Sequence, residues 1–387
     1  MEEWKEYKLE ETTDFIAGYA FKSKDFGSYE NKVVKIKDIQ PPFVSIASID
    51  GVNIHEYDIS KLAKYLVYKN DFLLAMTGAT IGKIGRYIYD KPVYLNQRVL
   101  KFMPKVGFDS DFIYYSLISD SFQKFIINHI DSDSAQPNIS ANTIGKYRLY
   151  IPDITIQKKI SHVLKVLDSK IELNRRINDN LEQQAQALFK SWFVDFEPFK
   201  NGKFVESEMG MIPEGWKVGK FSELVEIKYG KDHKSLAPGH IPVYGSGGFM
   251  RFAEKSIYNK ESVLIPRKGS LNNILYVNHP FWTVDTMFYT IMKEDGLAKF
   301  VYLFIKPFDL LSMNSGSAVP SMTADILNNI KLVIPPKSVF IEFENLIKPL
   351  FIKQRQIKGE IDKISLLRDT MLPRLMSGEL KINDLNC

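Results

Sequence analysis

Gly78-Ala-Thr-Ile-Gly82-Lys83 comes nearest in this chain to a phosphate-binding loop. The Walker arrangement sets four residues between its glycines and a Ser or Thr after its lysine, so that backbone amides wrap the phosphates and a hydroxyl meets magnesium. Here three residues intervene and Ile84 follows the lysine, so ATP binding is not expected. Gly245-Ser-Gly-Gly-Phe249 starts like a nucleotide-binding glycine run but lacks the later glycine, and a tight loop is expected instead. The Asn-Pro-Pro-Tyr set with which adenine methyltransferases grip a flipped base is absent. Pro152-Asp153 could open a nuclease carboxylate set, yet Glu172-Leu-Asn174 follows with no lysine. His55, His129, His162, His233, His240 and His279 show no metal-ligand spacing with one another or with the single cysteine, Cys387. The chain is expected to catalyse nothing and to hold no metal.

Binding chemistry is easier to place. Gly78–Gly85, with Thr80, Lys83 and Arg86 at hand, is followed by Asn96-Gln97-Arg98. Much later, Arg267-Lys268-Gly-Ser-Leu-Asn272-Asn273 is followed by Asp285-Thr286. Each set couples a basic, glycine-containing loop to amide, carboxylate or hydroxyl side chains. Glycine lets backbone approach a phosphate, Asn and Gln bond adenine bidentately, Arg reads guanine and Asp accepts from cytosine. The competing reading is that Asn96 and Asp285 merely satisfy local turns. Lys22, Lys24, Gln136, Asn138, Lys231, Lys234 and Arg251 complete the candidate binding set. The net charge of +5 permits a polyanionic partner without demanding one.

These two sets sit in a chain that repeats itself. Ser134-Ala-Gln-Pro137-Asn-Ile-Ser140 aligns with Ser317-Ala-Val-Pro320-Ser-Met-Thr323, and Tyr147–Pro152 with Ile330–Pro335, at one offset of 183 residues. Trp4, Lys8, Glu11, Gly18 and Lys22 align with Trp216, Lys220, Glu223, Gly230 and Lys234 at an offset of 212. A common frame with divergent middles suits one task performed on two targets.

Two long helices punctuate the repeats, at about residues 155–194 and 338–376. Ile160, Leu167, Asn174, Leu181 and Leu188 recur every seven residues, and the same offset of 183 turns them into Phe343, Leu350, Ile357, Ile364 and Met371. Sustained heptads predict a coiled coil, with Asn174 the kind of polar seam residue that fixes register. Thr155 and Ser338 are the expected N-caps, and Gly378 closes the second helix. Antiparallel pairing is expected, because the chain must return to close its second unit. The flanking segments read as short strands, among them Val33–Ile36, Phe72–Met76, Val99–Phe102, Ser262–Pro266 and Met287–Met292, with helical patches near 111–127 and 296–311.

The expected class is therefore α+β: two mixed, strand-rich domains with an internal pseudo-two-fold repeat, separated by two long helices. The division runs 1–153 for the first domain, 154–197 for the first helix, 198–215 for a linker, 216–336 for the second domain and 337–387 for the second helix and tail. At 387 residues, 45% of them hydrophobic, the chain can fill two cores. A lone cysteine excludes an internal disulfide, the charged N-terminus lacks a signal-peptide run, and no stretch reaches the roughly 18 apolar residues of a membrane span. A cytoplasmic protein without membrane contact is expected.

At this point the chain resembles the specificity subunit of type I restriction–modification systems. The residues that carry the resemblance are Ile171-Glu-Leu-Asn-Arg-Arg-Ile177 running on to Ala187-Leu-Phe-Lys-Ser-Trp-Phe-Val-Asp-Phe196; Gly78–Lys83; Ile241-Pro-Val-Tyr-Gly-Ser-Gly-Gly248; and Leu367-Arg-Asp-Thr-Met-Leu-Pro-Arg-Leu-Met-Ser-Gly-Glu-Leu380. The second unit departs from the pattern by carrying Asn272-Asn273 where the first has Gly82-Lys83. The resemblance implies a non-catalytic subunit in which each domain reads one half of a split double-stranded DNA site. The helices would set the gap and dock two methyltransferase (modification) subunits, with restriction/translocase subunits joining the full complex. S-adenosylmethionine, ATP and magnesium would then belong to those partners. Two other readings stay open on the residues alone, a coiled-coil scaffold for RNA or protein and a fused methyltransferase–nuclease.

Overall fold

Residues 4–47, 49–130, 137–313 and 321–382 are described by a computed structural model of the chain. It divides into two units, one running to Leu173 and resuming at Glu360, the other spanning Asn174–Gly359.

In the first unit, turn residues cut the chain into short strands. In order these are β1 (Lys5–Lys8), α1 (Leu9–Thr12), β2 (Thr13–Ala17), β3 (Phe26–Val34), β4 (Ile39–Gln40), β5 (Phe43–Val44), β6 (Asp50–Val52), α2 (Ile59–Leu62), β7 (Leu66–Val67), β8 (Phe72–Ala75), β9 (Ile84–Arg86), β10 (Val93–Leu95) and β11 (Val99–Pro104). Then come α3 (Ser110–Leu117), α4 (Asp120–Asn128), α5 (Ala141–Gly145) and β12 (Arg148–Ile151). One sheet has the order β2-β11-β8-β9-β5-β4, a second β6-β3-β10-β7, and β1 pairs with β12. Strand β8 explains the layering. Side chains alternate across a strand, so a strand that is apolar throughout must be covered on both faces. Phe72 and Leu74 enter the core shared with α3 and α4, while Leu73 and Ala75 enter a separate core with Val34, Val67 and Val99. The Asp109 carboxylate caps α3 by accepting from the Phe112 amide at 2.9 Å.

The helix α6 (Ile154–Phe193) follows, 40 residues long. Its N-cap is Asp153 rather than Thr155, because the Asp153 carboxylate accepts from the Thr155 and Ile156 amides at 2.8 and 3.2 Å. Its first half packs Ile156, Ile160 and Leu164 into the core of the first unit, and its second half packs Ala185, Phe189 and Phe193 into that of the second.

The second unit contains β13 (Phe204–Ser207), β14 (Gly210–Pro213), β15 (Lys217–Lys220), β16 (Val225–Tyr229), β17 (Ile241–Gly245), β18 (Gly248–Ala253), β19 (Ser262–Pro266), β20 (Leu275–Val277), β21 (Trp282–Thr283) and β22 (Met287–Met292). After these come α7 (Ala298–Ile305), α8 (Ala324–Asn328), β23 (Lys331–Ile334) and α9 (Lys337–Met376). Its sheets are β16-β22-β19-β20 and β18-β17-β21, with separate pairs β13-β14 and β15-β23. The expected linker is in part a folded hairpin: β13 and β14 pair from Phe204↔Pro213 to Ser207↔Gly210, and Phe196 and Phe199 pack on the core beside Trp216. Aromatic side chains inside a Pro- and Gly-rich stretch give that stretch enough apolar area to fold.

The repeat is structural, element by element. An offset of 212 carries β1 and β2 onto β15 and β16, and one of 183 carries α5 onto α8, β12 onto β23 and α6 onto α9. The pairing Lys5↔Ile151 becomes Lys217↔Ile334 under the same two offsets.

Within each unit α6 and α9 run antiparallel. In the first, Arg368 pairs with Asp168 at 2.8 Å and Lys170 with Glu360 at 3.3 Å. In the second, Gln354 donates to Glu182 at 3.1 Å while Phe343 lies against Trp192 and Phe193. Of the seam residues, Ile160, Asn174, Phe343 and Ile357 are buried, and Leu167, Leu181, Leu188, Leu350, Ile364 and Met371 are half-buried. None of the ten is exposed. Gly378, with φ of +73°, follows the end of α9. Among the described residues, no helix is long and apolar enough to cross a membrane.

Candidate nucleic-acid interface

The loops that carry the candidate residues are anchored by the same hydrogen bonds in both units. In the first, the Met76 amide donates to the Arg98 carbonyl and the Ile139 amide to the Met76 carbonyl, each at 3.0 Å. In the second, Arg267 donates to Thr286 and Met322 to Arg267, each at 2.8 Å. Thr77 bridges to Asn138 as Lys268 bridges to Ser321. Gly18 and Gly230 both bond to the start of the next strand, at Val99 and Met287. Neither tolerates a side chain: a Cβ would lie 2.1 Å from the Asn96 carbonyl oxygen in one unit and 2.0 Å from that of Val284 in the other.

This frame brings three stretches together in the first unit: the loop after β8, the Asn96–Arg98 turn before β11, and the strand bridge at Asn138. The loop itself is tight. Ile81 donates to Gly78 and Lys83 to Thr80, and Gln123 of α4 braces it through the Gly82 carbonyl at 3.1 Å. Lys83, Gln97, Arg98 and Asn138 are exposed on it, and Asn96 is half-buried. Lys22 is exposed too, and Lys24 makes a loose surface pair with Glu56 at 3.9 Å. Gln136 lies outside the described residues.

The second unit assembles the equivalent stretches around an open cleft of about 670 Å³ lined by Lys234, Ser246, Phe249, Met250, Asp285 and Thr286, among others. Asn273 donates to the Ser246 carbonyl at 2.9 Å, and the Ser246 amide points at the Thr286 hydroxyl at 3.4 Å. Arg267 lies over the Tyr229 ring and donates to the Asp285 carbonyl at 3.1 Å, so its guanidinium is half committed. Lys231, Lys268, Asn272 and the Asp285 side chain are exposed. Through the common frame, Gln97 and Asp285 occupy the same place, one step before the carbonyls of Arg98 and Thr286 that anchor the loops.

Three candidates are placed otherwise. Arg86 is bound to Asp111 and lies 4.2 Å from the centre of the Tyr114 ring, facing the core side of β9. Burial pushes the Asp111 carboxyl up, but Lys165 at 2.8 Å and the Arg86 guanidinium more than offset this and hold it below the usual carboxylate value. Arg251 donates to the His233 ring at 3.0 Å and to the carbonyls of His233 and Leu236, so it pins the 233–236 loop. The Thr80 hydroxyl is covered by protein and has no partner. An arginine so spent, or a hydroxyl so covered, cannot reach a base from this conformation.

Sequence reasoning missed Phe249, Met250 and Phe252, all about half exposed beside the cleft. Their signal in the sequence is the pair Phe249-Met250 directly after the glycine turn, with Phe252 two residues on. Among the described residues, no group of three or more His, Cys, Asp or Glu side chains is placed to hold a metal ion.

Two units built on one hydrogen-bonded frame, each with exposed basic, amide or carboxylate side chains on its loops, define a duplicated binding protein. The profile of the type I restriction modification DNA specificity domain matches residues 1–183 and 213–357, and the chain belongs to that family. It is a specificity subunit, the part of such a system that recognises DNA sequence. The type I restriction enzyme MjaIX specificity subunit of Methanocaldococcus jannaschii is 26% identical over 362 residues, spanning 86% of this chain and 83% of that one. The HindI specificity subunit of Haemophilus influenzae is 24% identical over 474 aligned positions, spanning 98% and 100%. The S subunit of a type I system from M. genitalium shares the fold, with a TM-score of 0.57 at 18% identity over 97% of this chain and 96% of that one.

Proposed function

We propose that each unit reads one half of a split, asymmetric double-stranded DNA site, and that α6 and α9 set the unread gap and dock two methyltransferase subunits. The single observation that carries this reading is the identical hydrogen-bonded frame holding different side chains at equivalent points, Gln97 in one unit and Asp285 in the other. An amide and a carboxylate prefer different base edges. The chain contributes no catalytic group in this reading. Methyl transfer, ATP use and cleavage fall to modification and restriction/translocase partners in the complex, which bring S-adenosylmethionine, ATP and magnesium. Lys22, Lys83, Lys231, Lys234 and Lys268 hold phosphates, while Asn96, Gln97, Asn138, Asn272 and Asp285 face base edges.

The test is a domain exchange read by methylation mapping. Sequencing modified adenines in a host carrying the intact system gives both half-sites. Replacing residues 1–153 with the first domain of another family member is expected to change one half of the motif and leave the other. If both halves change together, or no bipartite motif exists, the reading is wrong.

A further inference from the structure

The β17–β18 hairpin has its counterpart in the first unit, where β6 lies antiparallel beside β3, but the two differ in the side chains they carry and in the length of the connection. In the first unit β3 runs parallel to β10 with Leu95 opposite Val34; in the second β17 runs parallel to β21 with Thr283 opposite Tyr244. After Val34 the first chain turns into Lys35-Ile36-Lys37, whose lysines pair with Asp50 at 2.9 and 3.2 Å. After Tyr244 the second chain instead makes a tight hairpin, held at Ser246 by Asn273 and open at its tip: a Cβ at Gly247 would meet nothing within 4 Å, and Gly248 has φ of +106°.

A β-bulge gives this hairpin its chemistry. Tyr244 pairs with Phe249 but Val243 pairs with Arg251, so Met250 is the extra residue. Without the bulge, Phe249 and Phe252, three residues apart, would point to opposite faces of the strand. With it they share the outer face, ring centroids 4.9 Å apart, while Arg251 takes the inner face and binds the 233–236 loop. Phe249, Met250 and Phe252 are 55, 50 and 53% exposed. Leaving three large apolar side chains in water costs the free chain hydrophobic stabilisation, so a contiguous set of them marks a contact surface.

We propose that this outer face presses against the bases of the duplex in the half-site read by the second unit. The inference rests on the DNA-reading function above. Duplex DNA is the occupant because Phe249 and Met250 also line the cleft, around which Lys231, Lys234, Arg267 and Lys268 outnumber the acids Asp232 and Asp285, a net basic setting for a polyanion. A two-stranded β-ribbon fits the major groove, where phenylalanine contacts the thymine methyl, and apolar wedges also enter base steps. In the first unit the strand in the place of β18 is β6, Asp50-Gly-Val52, which carries no aromatic side chain to make such a contact.

The experiment uses the intact complex and a duplex bearing the motif found by methylation mapping. The Phe249→Ala/Phe252→Ala variant, altered only at exposed rings, is expected to keep its thermal midpoint and bind about tenfold more weakly, as loss of one apolar base contact predicts. The slope of affinity against salt should not change, because no counterion is released by an apolar contact. Uracil in place of thymine in that half-site should weaken the parent complex but not the variant if the methyl is touched. A rise in 2-aminopurine fluorescence with the parent alone identifies a base step. If the double variant misfolds, Phe249→Ser alone carries the same comparison. Unchanged affinity overturns the proposal, as does weakened binding with neither probe responding, or loss of a co-purifying subunit with DNA binding intact. Failure of the parent complex to prefer its own motif sinks the underlying DNA-reading function instead.

Discussion

A lysine and an arginine of similar sequence setting have separate fates here. Lys83 and Lys268 stand exposed on equivalent loops, whereas Arg86 is held by Asp111 and Tyr114. Lys83→Ala or Lys268→Ala is expected to weaken binding to all sequences and flatten its salt dependence, because each phosphate contact releases counterions. Gln97→Ala should leave that slope alone and relax discrimination at one base pair by about 1–3 kcal/mol. Titrations of the complex against cognate and altered duplexes at several salt concentrations separate the two effects; an unchanged slope for both lysine variants removes them from the interface. Asp111 predicts an acid effect. Its folded pKa is depressed, so its contribution is complete above the unfolded value of about 3.9 and vanishes as pH falls through the lower folded value. Asp111→Asn should therefore cost about 2 kcal/mol at pH 7 and progressively less below about pH 4. Urea melts at a series of pH values check this, and a loss that stays constant down to pH 2 contradicts the assignment.

At the scale of elements, the helices show how a repeating pattern and a single exception combine. The heptads put apolar side chains inward along both helices, but Asn174 occupies one seam position with its side-chain amide nitrogen buried and unpartnered. Asn178, Glu182 and Gln186 follow at four-residue spacing on the same helix face, each with a covered polar atom lacking a partner. An unmet buried polar group costs about 1–3 kcal/mol. Asn174→Leu is expected to raise stability by about that amount, seen as a higher thermal midpoint in the purified complex. A lower midpoint would mean that the amide is paired in the assembly.

For the whole molecule, the question is what spacing the helices impose. Four residues inserted after Leu181 lengthen α6 by about 6 Å at 1.5 Å per residue, close to two base-pair rises of about 3.4 Å. Selection of bound duplexes from a pool of randomised gap lengths should return a gap longer by one or two base pairs, with both half-site sequences unchanged and some affinity lost to rotation around the duplex. An unaltered gap in a folded, DNA-binding variant would leave the helices as docking surfaces alone.

The sequence by itself determined the repeat, the two helices with their inward seams, and the strand-rich character of both units. Those features are local or periodic, so burial of one face selects them wherever they occur. It also marked the equivalent loops, since Gly18 and Gly230 admit no Cβ beneath the next strand. Only the tertiary structure decided which charges are spent internally. Arg86 meets Asp111 across 25 positions and Arg251 meets His233 across 18, and no local pattern encodes such pairs. The folding of the 204–213 hairpin and the bulge at Met250 were likewise invisible, because each depends on what packs or pairs opposite it. That bulge turns an alternating strand into an aromatic face, and a one-residue shift in strand register is a property of two strands together.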